Sequence, residues 1–152
     1  MNIETDIGLL KILSKNNVIY ASYFVPKETI PTNQLLMLDY LDGVDNYKMV
    51  VTQSSLLSYE YPPGTPFQIL VWTEIKKIPW GQTRTYSQIA EAIGHPTSCR
   101  AVANACGKNQ LAFIIPCHRL VGKNNIGGYK WGLDVKKWLL EFEKNNDLTY
   151  QI

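Results

Sequence analysis

Residues 85–109 read "TYSQIAEAIGHPTSCRAVANACGKN", two short helix-forming segments on either side of a Gly-His-Pro-Thr turn. Thr85 has the side chain of an N-cap, and Gln88 three residues later completes a capping box. Together they take up two of the backbone N–H groups that a helix start leaves over. Ile89 and Ile93 recur four residues apart and give this segment a buried stripe, and Gly94 supplies its C-terminal stop. Beyond "HPT", Ser98 can cap a second helix running to Asn109. Two short helices joined by a turn of about four residues fit a helix-turn-helix, whose second helix lies on DNA; helix pairs with a Gly-containing turn also build many all-α cores. In the second segment Ala101, Ala103 and Ala105 leave a low surface from which Arg100 projects as a long cation.

Downstream, "AFIIPCHRLVG" (112–122) sets a cysteine between a proline and a histidine. Free cysteine is among the most buried residue types and can simply fill a gap. A thiol beside an imidazole is also the usual route to a reactive thiolate. A glycine-rich loop, "NNIGGYKWG" (124–132), follows, and then "GLDVKKWLLEFEKNN" (132–146) predicts an amphipathic helix with Val135, Trp138, Leu139 and Phe142 facing inward. Upstream, "GTPFQILVWTEIKKIPWG" (64–81) repeats the capping device: Thr65 caps, Pro66 stands at N1, Gln68 completes the box, and Pro79 and Gly81 stop the helix. "YEYPPGTP" (59–66) is the clearest boundary in the chain. Before it, "GLLKILS" and "VIYASYFV" read as two strands of a hairpin joined by "KNN", "TNQLLMLDYLDG" (32–43) as a helix between Thr32 and Gly43, and "YKMVVTQ" (47–53) as a further strand. The expected class is α+β. A small N-terminal α/β domain with a short antiparallel sheet (1–62) precedes a mainly helical domain with a winged-helix-like helix-turn-helix (63–152).

The chain has 152 residues, 45% hydrophobic and 18% charged, ordinary for a globular protein. Its start, "MNIETDIGLLKILSKNN", is acidic and its apolar run is broken by Lys11, so neither a signal peptide nor a membrane span is expected. The cysteines at 99, 106 and 117 are odd in number and lack CxxC spacing, which points away from a disulfide framework and towards a reducing interior. His95 and His118 are the only histidines, and no Cys or His precedes residue 95, so no metal site is expected. Charge divides unevenly. Residues 1–64 carry 4 Lys/Arg and 7 Asp/Glu (net −3), and residues 65–152 carry 11 and 6 (net +5). The basic part also holds the cysteines, and such a balance is the electrostatic footprint of a phosphate-backbone binder.

Taken in order and spacing, "IPWGQTRTYSQIA", "SCRAVANACGKN", "IIPCHRLVG", "GGYKWGL" and "VKKWLLEFE" strongly resemble the O6-alkylguanine-DNA alkyltransferases over roughly residues 65–143. The N-terminal part matches that family only in size and strand–helix pattern. The resemblance implies that Cys117 accepts the alkyl group, with His118 as its base through a bound water, Glu143 orienting the imidazole and Asn109 bracing the turn. It implies that the methylated guanine is flipped out of double-stranded DNA. The second helix would lie in the minor groove with Ser98 and Ala101 against DNA, Arg100 filling the vacated stack and Tyr86 turning the phosphate. The pocket would use the Tyr86 hydroxyl, the Leu120 carbonyl, the Lys130 amide, Tyr129 and Trp131. The family carries out irreversible, single-turnover transfer from O6-methylguanine, and O4-methylthymine is expected as a second substrate. The resemblance further implies no cofactor, no membrane, a monomer, and a cytoplasmic location (nuclear in a eukaryotic host). The sequence departs from the pattern at Gln110, where many members have proline, and at Trp131, where some have a small residue.

Other readings remain open at this stage. Cys and His also make protease dyads, although these normally draw the imidazole from elsewhere in the chain. Alkyltransferase-like proteins bind lesions without repairing them, but have the cysteine replaced. A transcription factor needs a sequence-reading helix, and the alanine-rich segment has little to read bases with.

Overall fold

The computed structural model describes residues 2–26 and 58–145. The helix expected over 32–43 and the strand over 47–53 lie outside the described residues. The chain divides into two compact units, Met1–Pro62 with Gln110–Ile114, and Pro63–Asn109 with Ile115–Ile152. Residues 110–114, left with the second domain by the sequence reading, therefore belong with the first unit.

In the first unit β1 (Asn2–Thr5), β2 (Gly8–Lys15) and β3 (Val18–Pro26) form an antiparallel sheet in the order β1-β2-β3. The β2–β3 hairpin is the expected one, with Lys15 opposite Val18 and Asn16 and Asn17 as its two-residue loop. Both asparagines have positive φ, 52° and 63°. A two-residue turn matched to strand twist requires that, and asparagine tolerates it. β1 was not expected; it lies in the segment read only as acidic. Leu9, Leu10, Ile12, Ile19 and Phe24 are buried. Ser22 is fully buried, donates through its hydroxyl to Ala112 O (2.7 Å), and exchanges backbone hydrogen bonds with Gln110 O and Ala112 N–H (2.9 Å each). These long-range bonds hold 110–114 in this unit.

The second unit is mainly helical. Helix α1 (Pro66–Ile75) starts with the expected Thr65–Gln68 capping box and Pro66 in its first turn. It ends at Ile75, three residues earlier than Pro79 alone requires, and Lys76 forms its C-cap. Trp72 on α1 is fully buried and donates from its indole N–H to Ala105 O at 2.9 Å. α2 (Tyr86–Ala92) carries the Thr85–Gln88 box, and Gly94, at φ 78°, follows its C-cap Ile93. α3 (Cys99–Lys108) has Ser98 at its N-cap position, but the hydroxyl makes no capping bond. The backbone of Ser98 sits at φ −103°, ψ 29°, away from the extended geometry that lets an N-cap side chain reach the next turn. Ala105 also departs from the reading of an open alanine surface. It is buried against Trp72, whereas Ala101 and Ala103 remain exposed. Two short strands, β4 (Arg84–Thr85) and β5 (Leu120–Val121), pair in parallel. Because Thr85 is both the end of β4 and the cap of α2, this ladder brings the chain after Cys117 beside the start of α2. The last helix, α4 (Leu133–Asn145), buries Val135, Lys136, Leu139 and Glu143. Its buried stripe is thus rotated from the expected one, leaving Trp138 and Phe142 half-buried and stacked on each other with ring centroids 5.0 Å apart.

Candidate functional site

Cys117 opens a short 3-10 turn, Cys117–Arg119, and is only 5% exposed. The C-terminal end of α3 braces it. Asn109, the C-cap of α3, is fully buried, and its amide donates to Ile115 O at 3.2 Å and to Cys117 Sγ at 3.3 Å. One side chain thereby fixes both the segment leading to the thiol and the sulfur itself.

His118 and Arg119 reach into α4. His118 Nε2 lies 2.7 Å from Glu143 Oε1, and Arg119 grips both carboxylate oxygens, Nε to Oε2 and Nη2 to Oε1, at 2.9 Å each. The remaining guanidinium nitrogen, Nη1, donates to Ile78 O at 2.7 Å. Burial alone would raise the Glu143 carboxyl, but His118 and Arg119 outweigh it and hold it at about 2. An ionised Glu143 can only accept, so Nε2 of His118 carries the proton and the lone pair of the neutral imidazole sits on Nδ1. Burial lowers the His118 pKa against the pull of Glu143. The imidazole is thus kept neutral and able to take a proton.

The hydrogen bond with Cys106 and burial raise the Cys117 thiol well above its ordinary value, against smaller opposing effects of Asn109 and Lys136. At rest the sulfur is therefore protonated. The groups that favour its anion, the Asn109 amide and the Lys136 ammonium, are already in place. Lys136 is fully buried and donates to Leu120 O and to Gly128 O (3.0 Å), tying β5 to the glycine-rich loop. Burial lowers its pKa to about 8.

Cys117 opens onto a cavity of about 230 Å³. Tyr86, Ala103, Cys106, Tyr129 and Lys130 are among its lining residues. Of the expected pocket residues, Tyr86, Tyr129 and Lys130 are at this cavity. Leu120 is in the core with its carbonyl taken by Lys136, and Trp131 stands off the cavity, packed edge-on against Tyr129 at 5.3 Å. The Lys130 ammonium turns back to Asn109 O at 3.1 Å. Tyr86 is pinned by close approach to Gly127. That glycine has φ 73°, and a Cβ there would lie 2.6 Å from the Tyr86 hydroxyl oxygen. Arg100 and Ala101 are exposed in the first turn of α3, and Ser98 just before them is half-buried.

The chain has relatives among known proteins. The family described as "6-O-methylguanine DNA methyltransferase, DNA binding domain" matches residues 66–145. A relative from Acanthamoeba polyphaga mimivirus, named "Probable methylated-DNA–protein-cysteine methyltransferase", is 48% identical over 149 residues, 95% of each chain. The chain belongs to the 6-O-methylguanine DNA methyltransferase family. A methylated-DNA–protein-cysteine methyltransferase of Methanosarcina mazei is 40% identical over 79% of this chain and 78% of its own. The crystal structure of Mycobacterium tuberculosis OGT in complex with DNA superposes with TM-score 0.73 at 31% identity, covering 95% of this chain and 91% of that one.

Within this methyltransferase-family fold, the expected quartet Cys117, His118, Glu143 and Asn109 is brought together, with Cys117 at the cavity and the other three behind it. Sequence reasoning missed three residues. Arg119 stands in the Pro-Cys-His-Arg motif with no sequence signal for its task, yet it shares Glu143 with His118. Lys136 lies on the stripe of Leu139 and Glu143, and that spacing was its only signal. Cys106 has no spacing motif to mark it in the sequence, although it shares the cavity with Cys117. Among the described residues no group of three or more His, Cys, Asp or Glu side chains could hold a metal ion, and no helix is long and apolar enough to cross a membrane.

Proposed function

We infer that this chain is a DNA repair protein that removes the alkyl group from O6-methylguanine, and from O4-methylthymine, by transferring it to Cys117. The observation that carries this reading is a thiol at a cavity, braced by Asn109 at 3.3 Å and backed by a neutral His118 on an ionised Glu143. The cavity stands beside α3, whose first turn exposes Arg100 and Ala101. A low helix surface suits a narrow minor groove, and a target base stacked in a duplex cannot meet a thiol inside a cavity unless it is flipped out. Arg100 fills the stack the base has left, and Tyr86, at the cavity wall, guides the phosphate and contacts the flipped base.

The Cys117 proton passes through a bound water to His118 Nδ1, and Glu143 stabilises the imidazolium that forms. The thiolate then attacks the methyl carbon, the sulfur–carbon bond forms, and the carbon–oxygen bond to guanine breaks. Guanine takes back one proton as its ring returns to the unmodified form. The product thioether has no carbonyl for water to attack, so nothing regenerates the thiol and each chain acts once. Residues 1–62 serve as a scaffold domain for the DNA-binding part, the chain works as a monomer, and it acts where the genome is, in the cytoplasm or a nucleus.

The test is a titration of limiting protein with excess duplex containing O6-methylguanine, read by intact mass and peptide mapping. A plateau at one methyl per chain, located on Cys117, is expected. Continued turnover, or no transfer despite lesion binding, overturns the reading, the latter in favour of a lesion-binding protein without repair activity.

A further inference from the structure

The cavity holds a second thiol that the transfer reaction does not use. Cys106, half-buried on the last turn of α3, lines the same space of about 230 Å³ as Cys117, and its presence there helps to raise the Cys117 thiol. Asn109 ties the two together. Asn109 N–H donates to Cys106 O at 3.2 Å while the Asn109 side chain touches Cys117 Sγ at 3.3 Å, so the turn bearing Cys106 is clamped against the acceptor. Cys99 cannot pair with Cys106. It lies seven residues earlier on the same helix, roughly 10 Å along its axis, beyond disulfide reach of Cys106, and its thiol bonds to the Ser87 hydroxyl at 3.2 Å.

We propose that Cys106 is a resolving thiol, which closes a reversible Cys106–Cys117 disulfide when the protein meets a hydroperoxide and so shields the acceptor from irreversible oxidation. In the first step one thiolate attacks the peroxide, a sulfur–oxygen bond forms, the oxygen–oxygen bond breaks, and the leaving oxygen takes a proton to depart as alcohol or water. In the second the other thiol attacks the sulfenic sulfur, the sulfur–sulfur bond forms, and water leaves. Two thiols lose two electrons in all, and the hydroperoxide gains them. A lone buried cysteine would instead continue to sulfinic acid, which thiols do not reduce. The disulfide would switch the protein off and keep the acceptor recoverable. That consequence for repair rests on the function proposed above; the cross-link does not.

The experiment treats the full chain with hydrogen peroxide, and separately with diamide, followed by non-reducing trypsin digestion and mass spectrometry. The expected product is lighter by two hydrogens, with peptide 101–108 joined to peptide 109–119. Methyl acceptance should fall about tenfold and return on addition of dithiothreitol, a thiol able to exchange with the disulfide. In Cys106→Ser, compared with its own untreated sample, peroxide should add oxygen to peptide 109–119 and the loss should not be reversed. In Cys99→Ser the cross-link should persist. Oxygen addition without a cross-link in the wild type, or equal recovery in Cys106→Ser, overturns the proposal. Absence of methyl acceptance before any oxidant is added would count against the repair function alone, because the cross-link is read by mass.

Discussion

Glu143 accepts hydrogen bonds from His118 and, through two nitrogens, from Arg119, and the residue is only 2% exposed. A buried ion pair of this kind stabilises little beyond its own desolvation, yet removing one partner strands the other charge, at about 3–5 kcal/mol. Glu143→Gln should therefore lower the free energy of urea unfolding at pH 7 by about that amount and slow methyl transfer, because the neutral amide no longer stabilises imidazolium. The acid dependence has a definite sign. The Glu143 carboxyl is held at about 2 against an ordinary 4.5, so its stabilisation is complete above pH 4.5 and is lost as pH falls towards 2. At 1.36 kcal/mol for each pH unit that amounts to on the order of 3 kcal/mol. His118 acts in the same direction from higher pH, since the unfolded imidazole takes a proton below 6.5 more readily than the buried one. Wild-type stability should thus begin to fall below pH 6.5 and fall more steeply below 4.5, and Glu143→Gln should lose the lower limb. A wild-type urea midpoint flat from pH 6.5 down to 3 would show that Glu143 is not ionised against these partners. Glu143 itself was picked out in the sequence only by family resemblance, since a late glutamate among Glu141 and Lys144 reads as a solvated surface group.

Helix α3 performs two tasks with opposite ends. Its first turn exposes Arg100 and Ala101, and its C-terminal end holds the thiol through the Asn109 cap. Arg100→Ala removes an exposed side chain and should leave the urea midpoint unchanged. It should nevertheless slow repair in duplex DNA strongly while barely changing reaction with the free modified base, because flipping costs a few kcal/mol only where a base must leave a stack. Equal losses on both substrates would make Arg100 a phosphate contact and no more. The element level was also the most legible. The Thr65–Gln68 and Thr85–Gln88 boxes, Gly94 and the Asn16–Asn17 hairpin are local devices whose residues interact within a few positions, and each is where the sequence placed it. What escaped depends on partners far along the chain. Residues 110–114 are held by Ser22, some ninety positions away. Among the described residues β1 pairs with β2 alone. The buried face of α4 is chosen by Leu120 O, Gly128 O, His118 and Arg119 accepting or donating to Lys136 and Glu143, and no hydrophobic periodicity reports a buried ion pair. Ser98 shows the converse failure, a suitable cap residue whose backbone leaves the extended region.

The formal net charge of the whole chain is only +2, and residues 65–152 carry +5. Not all of that positive charge can meet a phosphate. Arg119 and Lys136 are buried in the interior of their unit, and Lys77 and Arg84 share Glu74 at 2.8 and 3.5 Å. Arg100, Lys108 and Lys123 are exposed, the first two on the helix proposed to enter the groove. A protein that neutralises Z phosphates loses affinity with a log–log salt slope of about −0.9Z on duplex DNA. Three or four contacts therefore predict a slope of about −3, much shallower than that of a strongly basic repressor. The slope should be the same for undamaged duplexes of different sequence, because an alanine-lined helix reads groove width more than base edges. The measurement is fluorescence anisotropy with the Cys117→Ser variant, which cannot be consumed, across about 50–200 mM salt. Lys108→Ala should make the slope shallower by about one, and Lys144→Ala, at the far end of α4, should leave it unchanged. A slope near zero would remove the phosphate backbone from the binding energy. A strong preference for one undamaged sequence would mean that α3 reads bases, and the low alanine surface would then need another explanation.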